Sequence, residues 1–150
     1  MTTGLYWHLD VCLSTQANVL LIGPDDVTNA FLKMVRPHLQ DPVAILRGGE
    51  PFTLPSEPVG TLILVNVGAF TLAEQSQLDQ WLKHRLSRAQ VISTSTTGLM
   101  PMLATKSFLE ALYYRLNTIY IDVATFSSDS PFTDSTRARL SCDLGPVTRN

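Results

Sequence analysis

The stretch from residue 19 to residue 30 constrains the fold more than any other part of this chain. Val19–Ile22 is a short apolar run closed by a Gly-Pro turn, which is typical of a central parallel strand buried on both faces. After the turn, apolar residues recur at the spacing of one helix face, at Val27, Ala30, Phe31, Met34 and Val35. The helix begins with Asp25 and Asp26, whose carboxylates we expect to accept hydrogen bonds from its free N–H groups.

Further apolar runs and amphipathic stretches alternate along the chain. They predict strands at residues 42–46, 60–67, 91–95 and 119–123. Two helical faces lie between them, formed by Leu78, Trp81, Leu82 and Leu86 and by Leu109, Leu112, Tyr113 and Leu116. A further amphipathic helix is predicted before the first strand, from Leu5, Leu9, Cys12 and Leu13. This alternation predicts a three-layer α/β fold around a mostly parallel, five-stranded sheet.

The composition excludes several classes of function. Thirteen acidic and eleven basic residues give a net charge of −2 with no basic run, which disfavours direct binding to nucleic acid or to an anionic membrane. No apolar run approaches the length of a membrane span, and the first ten residues lack the pattern of a signal peptide, so we expect a cytoplasmic protein. Cys12 and Cys142 lie far apart without a metal-binding spacing, so neither a metal site nor a disulfide is predicted.

The Gly-Pro turn stands where nucleotide-binding α/β proteins often keep their phosphate site. A phosphate loop needs glycines for close backbone approach, a lysine for the terminal phosphates and a hydroxyl for Mg²⁺, in the pattern G-x-x-x-x-G-K-[ST]. Only Gly23 matches this pattern. The other three positions hold Thr28, Asn29 and Ala30. Because Asp25 and Asp26 would also repel an anion at the helix start, we expect weak or no binding of a nucleoside triphosphate.

Polar residues also follow the third and fourth predicted strands. An ATPase places acidic residues after its third strand, to hold Mg²⁺ and to prepare the attacking water, but this chain has Val65 and Asn66 there. The fourth strand ends in a run of hydroxyl side chains at residues 93–97. Hydroxyls at a strand end more often cap turns than bind anions, so these residues predict no bound cofactor.

The segment FLEALYYRLN, residues 108–117, carries the most specific signal in the chain. It resembles the F-R-E-D-L-Y-Y-R-L-N segment of the AAA+ ATPase domain of sigma-54-dependent transcription activators. In the same register, ANVLLIG, GTLILVNVG and QVISTST resemble that family's phosphate-loop strand, its G-T-L-F-L-D-E-I-G strand and its sensor strand. The resemblance extends over residues 5–123. It implies a Rossmann-like α/β domain of the P-loop NTPase type, with the sheet order 5-1-4-3-2.

The resemblance also shows which residues occupy the family's nucleotide site. Asn29 stands at the phosphate-loop lysine, and Ala30 at the adjacent acidic position. Val65 and Asn66 replace the Asp-Glu pair, and Thr96 replaces the sensor asparagine. The resemblance therefore implies a degenerate nucleotide site made of Gly23, Asp25, Asp26, Thr28, Asn29, Asn66 and Thr96, without a metal ligand.

Two arginines of the family reach into a neighbouring subunit's ATP site. Leu109 stands at the first of these positions, and only the second, Arg115, is retained. Without its companion, Arg115 is expected to form a structural ion pair within its own chain.

Other segments that the resembled family has are not found in this sequence. The long insertion with G-A-F-T-G-A that touches sigma-54 lies between the second and third strands of the family, where this chain has only a short connection. GAFT does occur at residues 68–71, but after the third strand, and we interpret it as a coincidence. We expect residues 1–126 to form the AAA+-like domain and residues 127–150 to form a polar tail, with no helical lid and no helix-turn-helix module.

These observations predict a catalytically inactive relative of the sigma-54 activator ATPase domain. Its role would be that of a regulatory or protein-interaction module, with a protein partner from transcription or signalling and an undetermined oligomeric state. One alternative is a degenerate receiver-like domain, in which Asp25, Asp26, Asn66 and Ser95 or Thr96 occupy the receiver positions; it requires the sheet order 2-1-3-4-5. The other is a nucleotide sensor that binds without hydrolysis, through Gly23, residues 94–97 and Arg115.

Overall fold

Five parallel strands form a single sheet in the computed structural model, which describes residues 16–84 and 89–122. The strands are β1 (Val19–Ile22), β2 (Val43–Arg47), β3 (Thr61–Val65), β4 (Gln90–Ser95) and β5 (Ile119–Asp122). The helices are α1 (Asp25–Val35), α2 (Leu72–His84), α3 (Met100–Ala104) and α4 (Glu110–Leu116). Two 3₁₀ turns, Arg36–His38 and Val67–Ala69, follow α1 and β3.

The strand order distinguishes between the two folds considered from the sequence. The sheet runs β2-β3-β4-β1-β5, which is the predicted order 5-1-4-3-2 counted from the opposite edge. In the centre, β1 pairs in parallel with β4 on one side and with β5 on the other. The predicted P-loop NTPase type of fold is therefore confirmed. The receiver-like alternative is wrong, because it needs β1 to lie between β2 and β3.

Each face of the sheet has its own hydrophobic cluster because side chains alternate along every strand. On one face, Leu20, Leu62, Leu64 and Val91 pack with residues of α2 and α4. On the other face, α1 covers Val19, Leu21, Ile63, Ile92 and Ile121. All four residues of β1 are buried, as expected for a central parallel strand.

Most predicted elements lie within one or two residues of the observed ones. The structure adds α3, which is only five residues long and therefore too short to give a periodic signal. The predicted N-terminal helix, Leu86, both cysteines and the tail from residue 127 lie outside the described residues. No helix in the described ranges is long and apolar enough to cross a membrane.

The start of α2 shows how the GAFT residues are used. Thr71 caps the helix: its Oγ1 accepts a hydrogen bond from Glu74 N at 3.1 Å, and Glu74 Oε1 accepts one from Thr71 N at 2.9 Å. This reciprocal pair is a capping box. Gly68 and Ala69 belong to the preceding 3₁₀ turn, and the buried Phe70 ring packs edge-on against Phe52. In this chain, the four residues form the connection from β3 to α2.

Gln75 joins three segments on the α2 side of the sheet. Its side chain is fully buried, and its Nε2 donates hydrogen bonds to the carbonyl oxygens of Phe70 and Ser107 at 3.0 and 3.1 Å. Its Oε1 accepts a hydrogen bond from Leu109 N at 2.8 Å. One amide group thus satisfies backbone groups before α2 and before α4, which positions the two helices relative to each other.

We predict that Gln75→Leu lowers the free energy of unfolding by about 2–4 kcal/mol, because it leaves buried backbone groups without partners. Gln77→Leu provides the matched control, since Gln77 is exposed on the same helix. Urea denaturation of both variants measures the difference. Equal stability of the two variants would contradict this role for Gln75.

Candidate functional site

The carboxyl ends of β1, β3 and β4 meet at one edge of the sheet, where open α/β sheets bind their ligands. Two hydrogen bonds hold this edge together: Gly23 N donates to Ser95 O, and Asn66 N donates to Thr94 Oγ1, both at 2.9 Å. The structure therefore brings together the ends of the three strands that carry the predicted nucleotide-site residues. The described ranges contain no group of three or more His, Cys, Asp or Glu side chains that could hold a metal ion.

Helix α1 begins directly after the turn at Gly23. Pro24 is the N-cap residue, and its carbonyl oxygen accepts hydrogen bonds from Val27 N at 3.0 Å and Thr28 N at 2.9 Å. In a P-loop the glycine-rich motif forms a loop between strand and helix. Here the motif positions from 25 to 30 are helical, so the backbone does not form a loop around an anion.

Asp25 and Asp26 do not cap the helix with their side chains, and this prediction is wrong. Both residues are exposed in the first turn, and no side-chain hydrogen bond caps α1. The reason is that Pro24, which has no acceptor in its side chain, occupies the cap position. The two carboxylates still lie near the positive end of the helix dipole, which favours negative charge there.

Thr28 and Asn29 are neighbours in α1, but their side chains lie on different faces of the helix, one buried and one exposed. Thr28 is 1% exposed, and its Oγ1 donates to the carbonyl oxygen of Asp25 at 3.2 Å. Asn29 is exposed on α1 and lines an open groove together with Val65, at the end of β3. The structure thus brings together two of the positions that the resemblance assigns to nucleotide chemistry, and neither of them carries a charge.

Asn66 has an unusual backbone conformation. Its φ and ψ are 61° and 60°, in the left-handed region that asparagine adopts more readily than most residues. Its carbonyl oxygen lies so close to Gly48 that a side chain at residue 48 would collide with it. The conformation and packing at the end of β3 therefore account for an asparagine at this position.

Within the hydroxyl run at residues 93–97, Ser95 is engaged in the turn that follows β4. Ser95 Oγ donates to the carbonyl oxygen of Thr97 at 2.6 Å and accepts a hydrogen bond from Thr97 N at 3.3 Å. Thr94 is bonded to Asn66, as described above. Thr96 is exposed. Ser95 thus connects β4 to the following turn, which agrees with the capping role expected from the sequence. The buried Ser93 Oγ has no hydrogen-bond partner among the described residues.

Arg115 lies in an ion pair within its own chain. Its Nε donates to Asp79 Oδ1 at 3.2 Å, and Lys83 Nζ lies 3.3 Å from Asp79 Oδ2. The Asp79 side chain is only 10% exposed, so its carboxylate needs these cations. This is the intramolecular ion pair that the sequence favours for Arg115. Residue spacing does not predict Asp79 as the partner, since it lies 36 residues away on α2.

The sequence model of one family matches most of the chain. It describes the sigma-54 interaction domain and matches residues 5–126. The chain belongs to this family. Sigma-54 interaction domains are AAA+ ATPase domains of transcription activators, as the resemblance at residues 108–117 implies. Comparison with curated protein sequences gave no match.

Solved structures show the same fold. NtrX from Brucella abortus in complex with ATP aligns with a TM-score of 0.62 at 16% identity, over 81% of this chain and 36% of NtrX. The P-loop NTPase domain of an E. coli sigma-54 transport activator aligns with a TM-score of 0.54 at 19% identity, over 77% of this chain and 93% of that domain. Drosophila ORC bound to AT-rich DNA and Cdc6 aligns with a TM-score of 0.51 at 15% identity, over 86% and 55%. The chain spans about a third of the NtrX length.

We predict that Asn66→Val lowers the free energy of unfolding by about 1–2 kcal/mol, because a β-branched residue is strained in the left-handed region. Asn66→Gly should change it by less than about 1 kcal/mol, since glycine adopts this conformation freely. The matched control is Asn29→Val, on the exposed face of α1. Thermal unfolding ranks the three variants, and an Asn66→Val variant as stable as Asn29→Val would contradict the argument.

We predict that Arg115 and Asp79 are coupled more strongly than Lys83 and Asp79. A double-mutant cycle with alanine should give about 1 kcal/mol for the first pair, because Arg115 Nε donates a hydrogen bond to Asp79. The second pair should give less than about 0.5 kcal/mol, as is typical of an i,i+4 pair on one helix. Urea denaturation of the single and double variants supplies both values. Equal coupling energies would show that Arg115 has no special role in holding Asp79.

Proposed function

We propose that this chain is a catalytically inactive sigma-54 activator-like AAA+ domain that acts as a regulatory or protein-interaction module. The start of α1 at Asp25, two residues after Gly23, carries the proposal. A phosphate loop binds its ligand through backbone N–H groups that converge on the anion. In this chain the same positions form helical turns, and the backbone N–H groups of Val27 and Thr28 are bonded to Pro24.

The electrostatics of the degenerate site support the same conclusion. Phosphoryl transfer depends on cations that neutralise the developing negative charge and on acids that hold Mg²⁺. Asn29 and Val65 stand at the corresponding positions and are neutral, while the exposed Asp25 and Asp26 add negative charge at the helix start. Hydrolysis of ATP at this edge of the sheet would therefore lack its main stabilising interactions.

The state of Arg115 supports a function without trans-acting catalysis. In the family that the sequence resembles, this arginine reaches a neighbouring subunit's nucleotide. Here its guanidinium binds the largely buried Asp79 carboxylate. Releasing it would leave that carboxylate with Lys83 as its remaining partner in the described part of the chain. The arginine is thus used to join α2 to α4, which is a structural role.

We further propose a cytoplasmic protein whose partner is another protein, from transcription or signalling. The family model describes a domain that interacts with another protein, sigma-54, which supports a protein as the class of partner. The net charge of −2 does not favour direct nucleic-acid binding.

A nucleotide sensor that binds without hydrolysis is the second candidate. It is favoured by the position of Gly23 beside Ser95 and the exposed Thr96 at the carboxyl edge. The NtrX structure with the same fold holds ATP. Against it, the Ser95 hydroxyl is already bonded to Thr97.

We predict that the purified protein releases no phosphate from Mg²⁺-ATP above background and gives no binding heat with millimolar ATP or ADP. The double variant Asn29→Lys with Val65→Asp should also be inactive, because the new charges would lie on a helix and a strand without a phosphate loop between them. Phosphate release and calorimetry measure both proteins, with an active P-loop ATPase as the assay control.

Two other results would change the proposal. Hydrolysis by the native protein would show that it is an enzyme. Micromolar binding without hydrolysis would favour the nucleotide sensor instead.

A further inference from the structure

Strand β2 lies at the edge of the sheet with one side free. Among the described residues it pairs only with β3. Pro42 O and Gly48 N are bonded toward β3, and backbone groups alternate in direction along a strand. The N–H and C=O groups of Val43 and Ile45 and the N–H group of Arg47 therefore point away from the sheet, where they can pair with an added strand. The Arg47 carbonyl oxygen accepts a hydrogen bond from Glu50 N at 3.2 Å and closes the turn after β2.

An open groove of about 370 Å³ runs beside this edge, between α1 and the strands β2 and β3. Its apolar surface comes from Leu32, Ile45, Ile63 and Val65. Ile45 is 38% exposed, although Leu46 beside it is buried on the opposite face. Helix α1 thus leaves its face of the sheet partly open at the β2 edge. The side chains at this opening are aliphatic, like those of the core.

Three cations line the same groove. Lys33 and Arg36 come from the end of α1, and Arg47 comes from the end of β2. Within residues 16–84 and 89–122, no acidic residue lines the groove and none of the three cations makes a salt bridge. Lys83 and Arg115, by contrast, are both paired with Asp79. Positive charge is therefore concentrated here in a protein whose net charge is −2.

We propose that this groove binds an extended, acidic peptide segment of a partner protein. The segment adds a strand to the free edge of β2 through main-chain hydrogen bonds, and its carboxylates bind Lys33, Arg36 and Arg47. The apolar side chains between the carboxylates cover Ile45. This inference rests on the proposed interaction module, since it names the partner class and the surface that recognises it.

The groove is better suited to a peptide than to a nucleic acid. Its apolar wall is aliphatic, and no aromatic side chain from the described part of the chain lines it for stacking with bases. The outward backbone groups of β2 alternate donors and acceptors at the spacing of another strand. A peptide matches all three features: the apolar floor, the cations and the free backbone groups.

The test uses the full chain and a fluorescein-labelled peptide of alternating Glu and Val residues, followed by fluorescence anisotropy. We expect saturable binding that weakens with salt, because carboxylate contacts are screened. Arg47→Glu and Lys33→Glu should each weaken binding about tenfold or more. Lys106→Glu is the control, since Lys106 is an exposed lysine in the turn before α4 and lies outside the groove.

Two further peptides separate strand addition from simple charge attraction. One has the same composition with its Glu residues in a single block, and the other is N-methylated at alternate residues so that it cannot donate along one edge. Both should bind about tenfold more weakly than the first peptide. Equal binding of the three peptides, equal binding of an oligothymidylate, or no binding at all would overturn the proposal.

The two proposals fail in different ways. Phosphate release by a protein that still binds the alternating peptide would overturn the absence of catalysis and leave the groove assignment in place. A protein that neither hydrolyses ATP nor binds the peptide would keep the inactive site and overturn this surface.

Discussion

The position of β1 between β4 and β5 is the constraint on which the rest of the structure depends. Its four residues are buried on both faces, so it holds the two hydrophobic clusters on either side of the sheet. Its parallel pairing with β4 also brings Gly23 N to Ser95 O, which sets the carboxyl edge of the sheet. Because parallel strands need crossover connections, this pairing places α1 on one face and the other helices on the opposite face.

The same edge explains how a P-loop NTPase type of fold can persist without a phosphate loop. The fold depends on burial of the strands and on packing of α1 through Phe31 and Val35, and both are present. The connection between β1 and α1 contributes little to that packing, so it can shorten to a Gly-Pro turn without loss of the core. At the end of β3, the left-handed Asn66 and its bond to Thr94 hold the position where an ATPase would keep its acids. The residues that pack the core thus differ from those at the positions where an ATPase keeps its catalytic groups.

Charged residues in this chain have two distinct uses. Asp79, Arg115 and Lys83 satisfy one another between α2 and α4, where a largely buried carboxylate requires cations. Lys33, Arg36 and Arg47 surround an aliphatic groove and have no such partner among the described residues. A surface that combines unpaired charge, an apolar floor and an open strand edge suits the interaction module proposed for this domain.

The sequence by itself determined the five strands and the helices α1, α2 and α4, and through the family resemblance it determined the strand order in the sheet. The spacing of apolar residues within one element indicates which of its faces is buried. The segment at residues 108–117 relates the chain to a family, and the strand order was predicted from that family's fold. Only the tertiary structure decided the cap at Pro24 in place of Asp25 and Asp26, the conformation of Asn66, and the pairing of Arg115 with Asp79. It also placed Lys33, Arg36 and Arg47 around one groove. Some of these features join residues that are distant in the chain, and others depend on backbone angles. The spacing of apolar and polar residues in the sequence predicts neither long-range contacts nor backbone angles.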